Sequence, residues 1–305
     1  MNSSPLMLQG KTVLITGGTS GIGAAAALEL ALMGARTYVV GRSRERCEST
    51  VRHIKRVGGN PDVEYFRADL SSQTEIRRLA DDFKRKSGTL DVLVNNAGAV
   101  FAKRGLSADG LEMTFALNHL GYFLLTVLLL DRLKAGPSGR IIVVSSHAHE
   151  NATMDFDDLQ CEHHYERLKA YAQSKLANLL FTYELARRLQ ETSITVNALT
   201  PGAVATRLGS NNGWLKAKVR NLVYRANGSM VSPERGASTI VHLASASKVE
   251  GATGGYYRDS KVSNSSDASR NIGDARRLWD VSEQLTGVTS VLLGIPASDG
   301  VLPHP

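Results

Sequence analysis

Tyr171 and Lys175 stand four positions apart in a stretch whose apolar residues recur with helical spacing. Both side chains therefore fall on one face of the helix, one turn apart. A phenol holds its proton until pH ~10 and is a poor base at neutrality, but an ammonium close by stabilises the phenolate and lowers that value. The pair is a candidate acid/base unit, although such a pair in isolation is more often solvated surface. Ser146, beside Ser145, closes the apolar run 140–146, which places a hydroxyl at the carboxyl end of a predicted strand, where parallel sheets open their ligand crevices. A second kind of chemistry is written at 16–23, TGGTSGIG. Glycine there lets the backbone turn tightly between a strand and a helix and approach a pyrophosphate, whose charge suits the exposed N–H groups and dipole of the helix N-terminus. Gly17, Gly21 and Gly23 follow a GxxxGxG spacing rather than GxGxxG. His147, His149, His163 and His164 lack the carboxylate or thiolate company of a metal site and are expected at the surface or in a substrate loop, with no metal.

These groups need a scaffold that brings strand ends together, and the order of apolar runs describes one. Strand-like runs at 11–16, 36–40, 63–68, 90–96, 140–146 and 194–202 alternate with helix-period segments at 21–33, after Ser71, at about 109–133, at 168–188 and at 233–246, and a short strand is predicted near 254–257. Such alternation predicts βαβ units and a parallel sheet covered by helices on both faces. The fold class is α/β, doubly wound, in one domain over 1–286, because no linker, repeat or composition break divides the chain. Residues 207–232 are expected to form a lid, in which Trp214, Leu215, Val219, Leu222 and Val223 are interspersed with Lys216 and Arg220, and 287–305 is an apolar tail without periodicity. The 305 residues are 42% hydrophobic and 21% charged, enough for a large core. The formal charge of +7 is scattered rather than gathered into an aromatic-lined basic groove, so no nucleic acid partner is expected. Cys47 and Cys161 form no CxxC and predict neither a disulfide framework nor a zinc site. The start carries no charged leader with a long apolar core, and the apolar run 123–130 is too short to span a bilayer. A reduced, cytoplasmic chain with no transmembrane segment is expected.

The spaced glycines, Asp69 in RADL, NNAG at 95–98, Asn118, Ser146, YxxxK at 171–175, and PG at 201–202 followed by Thr206 together resemble the short-chain dehydrogenase/reductase family, over about residues 8–285. The resemblance implies a Rossmann fold, a nicotinamide dinucleotide, and hydride transfer between its ring and a carbonyl or alcohol carbon. It implies that Ser146 holds the substrate oxygen, Tyr171 passes the proton, Lys175 binds the ribose hydroxyls and tunes Tyr171, and Asn118 supports a water-linked proton path. It also implies a set of cofactor contacts. These are Gly17, Thr19, Ser20, Gly21, Ile22 and Gly23 at the turn, Arg42 after the second strand, Asp69 and Leu70 at the adenine, and Asn96, Ala97 and Gly98 beside the adenosine. Tyr171 and Lys175 follow, then Pro201, Gly202, Val204 and Thr206 towards the carboxamide. An acid at the end of the second strand would hold the 2′-hydroxyl of NAD, whereas an Arg suits the 2′-phosphate of NADP. Gly41 and Arg42 stand here with no carboxylate until Glu45, so NADP(H) is expected in preference to NAD(H). The long segment between Ser146 and Tyr171, with 174–189 and 276–285, is similar to the retinol dehydrogenase and WW-domain oxidoreductase branch, which implies a lipophilic aldehyde or ketone as substrate. A ketoreductase of specialised metabolism and a non-catalytic nucleotide-binding sensor or scaffold are the alternatives. Family members pair through the helices holding Asn118 and Tyr171, which implies a homodimer or homotetramer.

Overall fold

The structure, a computed structural model, describes residues 7–202 and 231–289. Seven parallel strands, β1 (Thr12–Thr16), β2 (Arg36–Gly41), β3 (Val63–Arg67), β4 (Val92–Asn95), β5 (Arg140–Val144), β6 (Thr195–Thr200) and β7 (Tyr256–Arg258), lie in one sheet, and β8 (Lys261–Val262) returns antiparallel along β7. Their order is β3-β2-β1-β4-β5-β6-β7-β8, so the strand order reverses between β1 and β4. This is the single Rossmann-type domain the alternation predicts. Strand residues are buried on both faces and alternate between two cores: Val13 and Ile15 join Ala26, Ala27 and Leu30 on one side, and Leu14 joins Phe83 and Phe123 on the other. The helix α1 (Gly21–Leu32) buries alanines, whose small size lets it pack against Ala237 and Ile240 of α7 (Pro233–Ser245).

Other helices depart from the sequence reading in instructive ways. Between β2 and β3 lies α2 (Arg44–Gly58), which the apolar pattern did not single out because only Cys47 and Ile54 are buried in it; the Ser43 side chain caps it by accepting from Arg46 N at 3.3 Å, and Gly59 ends it at φ +63°. The helix after Ser71 is α3 (Gln73–Lys86). The predicted helix at 109–133 begins later and is broken. Glu112 caps its start by accepting from the amides of Thr114 and Phe115, both at 2.8 Å; α4 (113–128) then contains a π-helical turn at Ala116–Leu120, and α5 (Leu130–Lys134) follows.

The long helix α6 (Arg167–Arg188) is buried on every side over most of its length, because α8 (Ile272–Thr286) lies across it and across α4. Trp279 of α8 stacks on Phe181 at 6.0 Å between ring centroids, meets Phe123 edge-on at 5.0 Å, and carries the Arg188 guanidinium 4.3 Å above its ring. The two helices through which subunit pairing was expected are thus covered by the chain's own α8. Glu184 is wholly buried between Arg187 and Arg188 and accepts from both at 2.7 Å. His119, in the π turn, meets Ser282 of α8 at 2.9 Å, and burial, opposed by the Asn178 side chain, pushes its pKa down to about 3.

Two predictions follow from this cover. Glu184→Ala leaves two buried guanidinium groups without their carboxylate and is expected to lower stability by about 3–5 kcal/mol, read as a lower urea midpoint at unchanged slope; a midpoint equal to wild type would refute it. His119 ordinarily takes up its proton near 6.5 but when folded only near 3, so the unfolded chain binds more protons between those values. Stability present above pH 6.5 is then lost as the pH falls below it, by ~1.4 kcal/mol per pH unit from this group. Denaturation curves between about pH 7 and 5 should show a shallower pH slope for His119→Asn than for wild type.

Candidate active site

A cavity of about 800 Å³ opens at the carboxyl ends of the strands, where the strand order reverses between β1 and β4. Its floor is the glycine turn. Gly17 and Gly21 hold φ values of +65° and +53°, in the left-handed region that disfavours a side chain. A Cβ at Gly17 would lie 2.9 Å from Ala97 Cα, and one at Gly23 would lie 2.5 Å from Asn96 Nδ2, so both positions require glycine for close approach. Ser20 precedes α1 without capping it, which leaves the first amides of that helix free of a side-chain acceptor and suited to an anion. Thr19, Ser20, Gly21, Ile22 and Gly23 line this end of the cavity, Arg42 and Arg46 stand at its rim after β2, and Leu70, Ala97, Gly98, Pro201 and Gly202 continue the wall.

Two of the predicted contact residues hold the protein's own backbone. Asn96, which also lines the cavity, donates from Nδ2 to Thr16 O at 2.8 Å, and its amide meets Thr16 Oγ1 at 2.8 Å. Asp69 lies between the wall residues Ala68 and Leu70 and turns its carboxylate onto Ser71, accepting from the amide at 3.0 Å and the hydroxyl at 2.7 Å, with Arg42 Nη1 3.9 Å away. Val204, Thr206 and the expected lid up to 230 lie outside the described residues, as does the tail beyond 289.

The far end of the cavity brings together Ser146, Tyr171 and Lys175. Ser146 caps a 3-10 turn, His147–Asn151, by accepting from Ala148 N at 3.2 Å, and its side chain faces the Tyr171 phenol. Both adjacent serines line the cavity, and their hydroxyls differ in partner: Ser145 is buried and donates to the Lys175 carbonyl at 2.8 Å, whereas Ser146 Oγ accepts from the Ala148 amide. Lys175 is only 3% exposed; its Nζ donates to Val144 O at 2.9 Å and lies 5.6 Å from the ring centre of Tyr122 and 5.8 Å from that of Tyr171. Burial pushes its pKa down to about 7. The expected lowering of the Tyr171 pKa by this lysine is not what the structure gives. Burial raises the phenol above its ordinary value, and the Ser146 side chain opposes that rise.

Asn118 does not line the cavity. It is buried in the π turn, accepting from Ala99 N at 2.9 Å and donating to Ala99 O and to Ser174 Oγ, each at 3.0 Å, while Ser174 Oγ donates to Tyr171 O at 2.7 Å. It thus braces Tyr171 from behind. Of the histidines, His163 and His164 are exposed and His147 lines the cavity, receiving Arg258 Nη2 at 2.6 Å. His149 corrects the expectation: it is wholly buried, with partners distant in sequence that no local pattern reveals.

The geometry suits a dinucleotide. The turn offers a cradle that any Cβ would fill, the uncapped helix end faces it, and cations stand at the rim. Residues 11–214 match the family model for short chain dehydrogenases. The chain is 40% identical over 299 residues to human retinol dehydrogenase 14 and 42% identical over 284 residues to human retinol dehydrogenase 12, in each case covering 93% of this chain and 88% of the relative. Among solved structures, the Pseudomonas aeruginosa RhlG/NADP active-site complex superimposes with a TM-score of 0.67 at 28% identity, covering 83% of this chain and 96% of that one. Fold, crevice and motifs agree with these matches, and the chain belongs to the short-chain dehydrogenase family, as a retinol dehydrogenase-like oxidoreductase acting on CH–OH and C=O groups.

Proposed function

We propose that the protein uses NADP(H) in preference to NAD(H) and acts on a lipophilic aldehyde or ketone, or the corresponding alcohol. The observation that carries the cofactor choice is the rim after β2, where Arg42, Ser43 and Arg46 line the cavity and no carboxylate stands among the described wall residues. A guanidinium pairs with a phosphate through charge-assisted hydrogen bonds. The NADP complex of the Pseudomonas aeruginosa relative supports this choice, and the retinol dehydrogenase relatives support the substrate class.

When bound, the nicotinamide supplies or takes the hydride. The chain supplies orientation and the proton. Ser146 is placed to hold the substrate oxygen beside Tyr171, and Tyr171 gives its phenolic proton to that oxygen during reduction and takes it back during oxidation. Lys175, with a pKa near 7, exchanges a proton readily at neutrality and lies one helical turn from the phenol. The amides of the α1 turn and Arg42 would hold the phosphates.

Removing the proton donor tests the chemistry. Tyr171→Phe is expected to lower NADPH consumption with a panel of lipophilic aldehydes and ketones by about 10²- to 10⁴-fold while leaving nucleotide affinity near wild type; an unchanged rate overturns the assignment. Removing the cation tests the cofactor choice. Arg42→Glu should raise the KM for NADPH about 10- to 100-fold, the loss of a charged hydrogen bond of ~1.5–3 kcal/mol, with less effect on NADH, and equal effects on the two would count against a phosphate contact.

A further inference from the structure

His149 has no role in the chemistry described so far, yet its contacts converge on the residue that does. The Ser146 carbonyl accepts twice from it, from its amide at 3.2 Å and from its ring Nδ1 at 2.6 Å. A carbonyl cannot donate, so Nδ1 carries the proton. On the other side of the ring the amide of Ser266 points at Nε2 at 3.3 Å. That amide cannot accept, so Nε2 presents its lone pair. The two partners together select one neutral tautomer and leave no place for a second ring proton. The ring also packs edge-on to Tyr256, 5.1 Å between centroids, and the residue is wholly buried. Burial lowers its pKa; Glu150 and the Ser146 bond oppose that shift, and His147 and Arg258 add to it.

We propose that His149 is a positioning residue for Ser146, its ring locking the carbonyl of that serine to the segment that follows β8 and thereby fixing where the Ser146 hydroxyl sits relative to Tyr171. Ser146 is held from three directions: its Oγ by the Ala148 amide, its carbonyl by the ring and amide of His149. Releasing the ring frees the backbone of Ser146 to rotate, and with it the hydroxyl. The inference rests on the reading of Ser146 and Tyr171 as the reacting pair, and a displacement of about 1 Å in such a pair lowers turnover strongly.

The test compares His149→Phe, which keeps an aromatic ring and removes both nitrogens, with His149→Asn, whose Nδ2 stands where Nδ1 stood. In the NADPH-dependent reductase assay, His149→Phe is expected to lower kcat about 10- to 100-fold with substrate KM and NADPH Kd near wild type, and His149→Asn is expected to recover most of the loss. A kcat within about twofold of wild type overturns the proposal. So does a parallel fall in kcat, NADPH affinity and thermal stability that Asn does not repair, since that pattern marks a merely structural role. Should His149→Phe fail to fold, Ser266→Pro carries the comparison: the φ of −63° there suits proline, the amide facing Nε2 is lost together with the hydroxyl that donates to the His149 carbonyl at 3.5 Å, Ser266→Ala removes the hydroxyl alone, and a kcat for Ser266→Pro equal to that of Ser266→Ala overturns the proposal. Nitrogen-15 NMR of the cofactor-free protein gives a readout independent of turnover. His149 should show the neutral tautomer protonated at Nδ1 throughout about pH 5 to 8, and an imidazolium, or a proton on Nε2, in that range overturns the proposal. A wild-type rate in Tyr171→Phe would instead sink the functional reading, leaving the NMR result to decide the role of His149 as a clamp.

Discussion

Between β1 and β4 two neighbouring parallel strands send their chains away in opposite directions, and the protein is held together at that parting by one hydroxyl. Thr16 Oγ1 donates to Val94 O at 3.1 Å and accepts from the amides of Asn96 and Ala97 at 2.8 and 3.1 Å, while Asn96 Nδ2 grips the Thr16 carbonyl. Every hydrogen-bonding capacity of that buried group is used. The brace holds the glycine turn against the end of β4, which is why Gly17 and Gly23 tolerate no Cβ. The next residues along, to Ala99, meet Asn118, which meets Ser174, which meets the Tyr171 carbonyl. Hydrogen bonds, joined by the backbone from Ala97 to Ala99, therefore run in a continuous line from the glycine turn to the Tyr171 carbonyl. The π turn serves the same line: a wider turn bonds Gly121 N to Ala116 O, and a Cβ at Gly121 would come 2.6 Å from Leu70 O, so α4 lies directly against the cavity wall.

The reacting end pairs that rigidity with burial. Lys175 is an amine in a nearly dry place, offered one carbonyl and two aromatic faces, and its proton affinity falls accordingly. Tyr171 is moved the other way by the same burial. The two values move apart from ordinary ones that nearly coincide, so burial favours the phenol keeping its proton and the amine releasing its own. At Glu184 buried charge is met by two arginines.

The sheet was legible because its central strands β1, β4 and β5 are short apolar runs, and parallel strands buried on both faces need such runs. The cradle was legible because glycine spacing is itself the physical requirement. What local sequence could not show is where a polar side chain finds its partner. The resemblance implied cofactor contacts at Asn96 and Asp69 without showing that their side chains also bond Thr16 and Ser71. His149 read as surface because its burial depends on Ser266, 117 residues away, and on Tyr256. The helix α2 hid because a solvated amphipathic face dilutes its short apolar stripe. The rise in the Tyr171 pKa was not legible because spacing places Lys175 on the right face but does not show how deeply the phenol is buried.

Helix α8 brings one further consequence. A helix buried on as many sides as α6 needs a cover, and where a second molecule supplies the cover, the folded population depends on how much protein is present. Here the cover is tethered to the same chain, with Gln73 Nε2 and Arg77 Nη2 holding the carbonyls of Leu285 and Thr286 at its end, at 2.7 and 2.6 Å. Docking is a unimolecular event at a fixed effective concentration. The integrity of the helix that carries Tyr171 and Lys175 is thereby insulated from dilution, and a scarce copy of this protein is as well covered as an abundant one.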